Sequence, residues 1–332
     1  MAGPPRDRSD MLTLVVGATG MLGREICRQL RENGHPVRAL VRKGSEGEEF
    51  VRGLGAEIVR GDLKNSASLR AACDGAGAVV STANSMLRRR RGDSIWSVDR
   101  DGHLSLIAAA TEAGVPRFVF VSVHPESSER APFIRCKRRV EAELRRSGLA
   151  WTILQAGPFM EVWFSPRAGW DLDRGRVTRF GPGTRPRSFI SLVDVAQYAV
   201  LALEPPILER RDVVLGGPEV MTDRDVVRVF EEVTGRRLVV RTLPIVVPRV
   251  MGVVLRPFHP CLSSLMRMIA DGAARGETLD MAPALALARP PRPLTSVRDF
   301  ARRLTAADGS SSQRESIGLD GLGPGDETRR LP

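Results

Sequence analysis

Beginning at Leu12, short apolar runs alternate with longer stretches whose apolar residues recur every three to four positions. LTLVVG, residues 12–17, has the length and composition of a strand. In residues 21–33, Leu22, Ile26 and Leu30 share one helical face while Arg24, Arg28 and Arg31 lie elsewhere, and Gly34 closes the helix. HPVRALVR, AEIVRGD, GAVVSTA, RFVFVSV and WTILQAG read as five further strands, separated by helical segments that include 69–73, 102–113 and 132–147. Strand and helix alternating at this spacing imply βαβ units, hence a parallel sheet with helices on both faces. Right-handed crossovers make it a doubly wound α/β sheet.

The rhythm changes after Gly157. Residues 161–187 are rich in Gly, Pro, Arg and Trp and read as an irregular insertion. SFISLVDVAQYAVLALE returns to a strand and a helix, with Ser191 as N-cap and Asp194 in the capping-box position. RDVVLGGPEVMTDRDVVRVFEEVTGRR gives another strand and helix, capped by Thr222. The expected organisation is a main α/β domain over 11–160, completed by 188–204. Residues 161–187 and 205–306 would form a smaller C-terminal lobe over the carboxyl ends of the strands. Residues 1–10 and 307–332 hold few large apolar residues and are expected to be disordered.

Composition narrows the partners more than the fold. Of 332 residues, 42% are hydrophobic and 27% charged, near globular averages. The formal charge is +11, yet 47 arginines stand against three lysines, Lys43, Lys64 and Lys137, a bias that reads as genome composition as much as affinity for anions. Cys27, Cys73, Cys136 and Cys261 have no CxxC spacing and no local histidine, so no metal is expected and a reducing cytoplasm is the simplest setting. The start of the chain has no secretory-type apolar run. The most apolar later stretch, 243–255, is broken by Pro244, Pro248 and Arg249 and is shorter than the ~20 residues a spanning helix needs. A hydrophobic lobe or lid is expected there, with a membrane-surface contact as the alternative. Tyr198 is the one tyrosine, so any mechanism that uses a tyrosine must use that one.

The strongest chemical signal is VVGATGMLGRE at 15–25, where Gly17, Gly20 and Gly23 form GxxGxxG between the first strand and the first helix. Such a turn reverses the chain at Gly17, admits a pyrophosphate against the backbone at Gly20 and lets helix pack closely on strand at Gly23. Thr19, Met21 and Leu22 complete the turn, and the helix N-terminus presents N–H groups and a positive dipole end to the phosphates. An NAD site usually places an acid after the second strand for the ribose 2′-hydroxyl. This chain has Arg42 and Lys43 there and no acid before Glu46. NADP(H) is therefore preferred, with Arg42 clamping the 2′-phosphate, Lys43 as an auxiliary charge, and NAD(H) as the alternative. After the third strand, Asp62 and Leu63 would meet the adenine; after the fourth, the small Ser81, Thr82 and Ala83 would let the backbone lie beside the cofactor.

The runs VVGATGMLG, GDL, VDRDGHLSLIAAATEAGVPRFVFVSV and KRRVEAELRRSGLAWTILQAGPFME together resemble the NmrA-like and isoflavone-reductase-like branch of the atypical short-chain dehydrogenase/reductases. The resemblance implies an NAD(P)-binding Rossmann domain at 11–160 and a C-terminal substrate lobe. It implies no single reaction, because the branch holds reductases of enoyl or ether substrates and also proteins that bind NADP as redox sensors or assembly factors. The larger superfamily uses a Tyr-x-x-x-Lys pair. Lys137 falls at the lysine position with Phe133 four residues before it, while Tyr198 is followed four residues on by Ala202, so neither makes the pair. By resemblance Lys137 is the acid/base candidate beside the nicotinamide, or else a structural lysine on the nicotinamide ribose. Ser122 falls where the superfamily often places its catalytic serine, though a structural hydroxyl is the better reading of it. Pro158 and Phe159 would support the nicotinamide.

His124 could approach a substrate, though a solvent-facing loop histidine before Pro125 is the better reading. Trp163, Phe164, Trp170, Met251, Phe258, Met266 and Met268 would line an apolar pocket or form core. Residues 88–91 are four arginines that this architecture places at the nicotinamide end of the cleft, a solvated loop or a contact for an acidic molecule. The expected function is NADPH-dependent reduction of a small apolar or conjugated substrate without the tyrosine acid. The alternative is an NADP(H)-binding sensor or assembly protein with a protein partner; no nucleic-acid motif is present.

Overall fold

The structure, a computed structural model, describes residues 11–86, 89–204 and 206–307. The six strands expected over 12–157 form: β1 (Thr13–Val16), β2 (Val37–Val41), β3 (Glu57–Arg60), β4 (Ala78–Ser81), β5 (Arg117–Val123) and β6 (Ala150–Ala156); the strand expected at the start of SFISLVDV does not, Ile190 making only an isolated bridge with Phe159. They lie in one parallel sheet in the order β3-β2-β1-β4-β5-β6, the Rossmann order. Every residue of β1 and β4 is buried, as expected of central strands covered on both faces.

Helix α1 (Met21–Glu32) and α7 (Leu192–Leu201) pack side by side on one face, where the Gln29 amide donates to Val193 O at 3.0 Å. The other face is covered by α3 (Ser66–Cys73), α4 (His103–Glu112) and α5 (Pro132–Arg146). A wide π-helical stretch, Ile95–Gly102, runs into α4, started by a reciprocal Ser94–Ser97 cap, so this helix begins earlier than its sequence pattern suggested. Tyr198 is fully buried in the core under α7, its hydroxyl donating to Ala288 O at 3.2 Å, and burial pushes it up to about 12. The single tyrosine is a core residue. All four cysteines are free and buried.

Three expectations for the later chain need correction. Residues 161–187 are not irregular: α6 (Met160–Trp163) leads through a 3₁₀ turn at Pro166–Ala168 to an antiparallel pair, β7 (Trp170–Asp171) and β8 (Arg176–Phe180). Strand β9 (Arg211–Leu215), expected in the smaller lobe, instead pairs with β6 and becomes the seventh strand of the main sheet, because its apolar Val213 and Leu215 are buried there. Asp194 does not close a capping box on Ser191. Its carboxylate is taken by the Thr295 N–H at 2.9 Å, a tertiary partner 101 residues away, and Ser191 caps α7 alone. Thr222 does cap α8 (Asp223–Thr234), with Asp225 completing the box.

Strand β10 (Val239–Leu243) pairs with β8, giving the lobe its own three-stranded sheet. The lobe core gathers around Phe164, whose ring lies 4.8–5.9 Å from those of Trp170, Phe189, Phe230 and Phe300. The last of these is on α12 (Val297–Ala307). Residues 1–10 and 308–332 lie outside the described residues. Helix α9 (Val246–Val254) buries only Pro248 and Gly252 and packs on α10 (Pro260–Arg275), so the expected hydrophobic lid is an exposed helix.

Glu161 fastens α6 to the start of α7, accepting from Ser191 Oγ at 2.7 Å and Leu192 N at 3.0 Å. Burial pushes its carboxyl up to about 7. The folded chain therefore holds more protons than the unfolded one between the ordinary carboxyl value of 4.5 and about 7, so stability falls as pH rises through that window. Glu161→Gln is expected to flatten this slope in unfolding curves recorded from pH 5 to 7.5; an unchanged slope would show that Glu161 does not cause it.

Candidate functional site

The carboxyl ends of β1, β4, β5 and β6 open on one cleft of about 870 Å³, at the point where strand order reverses between β1 and β4. Gly17, Thr19, Gly20, Met21, Leu22 and Gly23 line it. Gly17 sits at φ +91°, and a Cβ there would lie 2.7 Å from Ala83 N. A Cβ on Gly23 would lie 2.0 Å from Gly17 O, so helix and strand touch backbone to backbone. Gly20 differs. Its nearest neighbour for a Cβ is Gly17 O at 3.3 Å, so the protein's own packing does not demand glycine there as strongly; it leaves bare backbone toward the cleft. Gly20 is the N-cap of α1 and no side chain caps that helix, so its first N–H groups are open to an anion.

Beyond β2, Arg42 lines the cleft and donates to Asp93 at 2.7 Å. Asp93, from the segment after β4, also accepts from Lys64 Nζ at 2.6 Å and from the Arg90 N–H at 2.9 Å. Burial alone would raise this carboxyl, but the three donors hold it below its ordinary value. Arg90 reaches across to Lys43 O at 2.8 Å and Ser45 Oγ at 3.1 Å. Arg89 meets His259 Nδ1 at 3.2 Å, on the turn before α10. The arginine run therefore does not border only the nicotinamide end as expected. Arg90 is folded back onto the loop after β2, Arg89 reaches the lobe, and Arg88 lies outside the described residues. Asp62, Leu63, Thr82 and Ala83 line the cleft. Lys43 and Ser81 do not: Lys43 is exposed beside it, and Ser81 is wholly buried in β4.

Lys137 projects from α5 into the cleft floor, 3% exposed, and donates to Val121 O at 2.9 Å. Its ammonium lies 4.5 Å from the Phe120 ring centre and 5.5 Å from that of Phe133. Burial pushes Lys137 down to about 8, against the pull of Asp99 and Glu141. Burial likewise raises Asp99, although Lys137 and the Ser85 hydrogen bonds favour its charge. Behind them, His103 is buried and held down to about 3, hence neutral. Ser122 lines the cleft, but its hydroxyl donates to Glu141 Oε1 at 2.5 Å, and Glu141 is further bound by Arg138 and Arg145. That network ties α5 to β5. Sequence reading did not single out Glu141, although the i,i+4 spacing puts it on the same face of the helix as Lys137.

Pro158 and Phe159 line the cleft after β6, with Trp163, Leu265 and Met268 beyond them toward the lobe. Phe164 and Trp170 are lobe core, while Met251 and Phe258 are on the surface, so the apolar residues expected near the pocket divide among three places. His124 is not the solvent-facing histidine expected. It is 6% exposed, with Nε2 3.5 Å from Glu277 and Nδ1 lacking a hydrogen-bond partner among the described residues. Burial raises Glu277, but His124 and Arg187 outweigh it and keep the carboxyl below its ordinary value. Arg187 is itself buried, its guanidinium 4.2 Å from the Trp163 ring centre and 3.5 Å from Asp223. No local pattern links residues 124, 187 and 277, so sequence reading missed this group.

A family model described as the NmrA-like family matches residues 9–270. The photosystem II assembly factor Ycf39 of Synechocystis sp. is 31% identical over 277 residues, covering 82% of this chain and 84% of that protein. The (4-alkanoyl-5-oxo-2,5-dihydrofuran-3-yl)methyl phosphate reductase of Streptomyces griseus is 34% identical over 213 residues, covering 64% of this chain and 70% of that protein. Among solved structures, the NADPH-dependent quinone oxidoreductase of Escherichia coli, in complex with NADPH, superposes with a TM-score of 0.69 at 19% identity, over 89% of this chain and 100% of the other.

Proposed function

The chain belongs to the NmrA-like family, and from that premise we propose that it is an NADPH-dependent reductase of a small apolar or conjugated substrate. The observation that carries the reading is a buried, titratable Lys137 in the floor of the same cleft that begins at the glycine turn. The residues fit a dinucleotide phosphate. The uncapped start of α1 and the bare Gly20 suit the pyrophosphate, and Arg42, backed by Asp93, suits a 2′-phosphate. Arg42 and Lys64 around the single Asp93 carboxylate leave a net positive charge, which favours NADPH over NADH.

When bound, the cofactor supplies a hydride. Lys137 Nζ then delivers the proton that a reduced conjugated system needs, a role its pKa of about 8 suits. Val121 O and the two phenylalanine rings orient the ammonium, and Phe133 stands where a tyrosine acid would otherwise be. Trp163, Leu265 and Met268 give the substrate end an apolar wall. Single-turnover oxidation of NADPH against enones, quinones and aromatic ethers tests the reading, with turnover expected for at least one class.

A second reading, a protein that binds NADP(H) without turning it over and assists assembly, is favoured by the missing tyrosine and by the similarity to Ycf39. Tight NADPH binding with no oxidation across the whole panel would establish it in place of the first. Both readings share one prediction. Arg42→Ala is expected to weaken NADPH binding by about 10- to 100-fold, the strength of a charge-assisted contact, and to leave NADH binding nearly unchanged. Equal losses for the two cofactors in a fluorescence titration would remove Arg42 from the 2′-phosphate.

A further inference from the structure

Helix α9 presents an apolar face to the outside. Val246, Val250, Val253 and Val254 are 58%, 53%, 60% and 59% exposed. Their spacing of i, i+4, i+7 and i+8 puts all four within one stripe of the helix. Beyond its end Phe258 is 80% exposed. The opposite side is the thin one: Pro248 and Gly252 are buried, and Gly252 O accepts from Ser263 Oγ at 2.6 Å and Arg267 Nε at 3.0 Å on α10. A soluble surface helix normally turns its apolar stripe inward and its polar side out. Here the branched residues face out while the helix is held by its smallest residues.

The stretch of chain that carries this face has charge of one sign. Residues 233–270 contain Arg236, Arg237, Arg241, Arg249, Arg256 and Arg267 and no Asp or Glu. Arg249 and Arg256 are exposed beside and just beyond the valine stripe. An apolar stripe with arginines beside it and just beyond it is the pattern of a helix that lies in a membrane interface, with aliphatic groups below the headgroups and guanidinium groups at the phosphates. α9 has nine residues, and no described helix is long and apolar enough to cross a membrane. Valine is under-represented among the residues that carry protein–protein binding energy, which weighs against a protein partner.

We propose that α9 and Phe258 form a docking face for an anionic lipid surface, with the valines and Phe258 seated in the interface and Arg249 and Arg256 on lipid phosphates. The face adjoins the cleft through α10, whose Leu265 and Met268 line the substrate end. The docking does not depend on whether the chain turns over NADPH.

Cosedimentation of the full chain with phosphatidylcholine vesicles, with and without about one third phosphatidylglycerol, tests this. Binding is expected to the mixed vesicles at low salt, and to be lost at high salt or on pure phosphatidylcholine. Arg249→Glu with Arg256→Glu should weaken it by at least about tenfold, and Val250→Glu with Val254→Glu should remove it. All four positions are exposed, so unchanged thermal unfolding and NADPH binding should confirm that the variants fold. Absence of wild-type binding to mixed vesicles, or equal binding by both variants, overturns the proposal. A concentration-dependent dimer that the valine variant disperses would assign the face to a second copy instead, and overturn it equally.

Discussion

Lys137→Met is expected to lower single-turnover reduction by about 10²- to 10⁴-fold, the range lost with a positioned proton donor. The cavity tolerates the change. Methionine is close in shape, and the neighbouring Phe120 and Phe133 rings are apolar. Asp99 keeps the Ser85 N–H and hydroxyl as donors, so the variant should fold and bind NADPH with little loss. Lys137→Arg should be nearly as inactive, because a guanidinium stays charged across the working pH range. Restoration of rate by arginine would mean that charge alone is needed. Loss of NADPH affinity in place of rate would put Lys137 on the cofactor ribose and favour the non-catalytic reading.

The same residue sets two pH dependences. Reduction needs the ammonium form, so kcat should fall as pH rises through about 8, and the methionine variant should lack that limb. Stability moves the other way. The folded pKa lies below the ordinary 10.5, so the unfolded chain binds more protons between about 8 and 10.5. Wild-type stability should therefore rise with pH across that window, relative to Lys137→Met, and the cost of the buried ammonium is fully present below it. Denaturant unfolding of the two proteins at pH 7.5 and 9.5 measures the difference; a gap that does not change with pH would contradict the lowered pKa.

Gly23→Ala is expected to cost about 3 kcal/mol of stability, at the upper end of ordinary overpacking, and to abolish NADPH binding. The added methyl would lie 2.0 Å from Gly17 O and 2.8 Å from Ala18 Cα, both backbone atoms that cannot rotate away. Relief requires α1 to move off β1, which takes the phosphate-binding N–H groups with it. Gly20→Ala separates the two effects. Its Cβ meets only Gly17 O at 3.3 Å, so the fold should hold while the methyl occupies the path of the pyrophosphate. Thermal unfolding beside an NADPH titration distinguishes them. A Gly20→Ala protein that binds normally would move the pyrophosphate away from this turn.

Local spacing accounts for what was readable in the chain. Six strands, the glycine turn and the Phe133–Lys137 register all depend on residues within a few positions of one another, where periodicity and backbone sterics act directly. Strand β9 shows where such reading ends. RDVVL predicts a strand correctly, but its neighbour is chosen by which sheet edge can bury Val213 and Leu215, and that edge is β6. Asp194 is a second case: local pattern offered it a cap, and Thr295 took it.

Sequence by itself determined a doubly wound nucleotide-binding sheet, a basic end to β2 and the absence of a tyrosine beside Lys137. Tertiary structure decided the electrostatics. It brought Asp93 to Arg42 across 51 residues, folded Arg90 back onto the loop after β2, and buried His124 against Glu277. It also lowered Lys137, a shift that burial imposes against the pull of Asp99, neither of which a spacing pattern records. The physical reason is that propensity and periodicity act along the chain, whereas desolvation and ion pairing depend on what the sheet order carries to the same cleft.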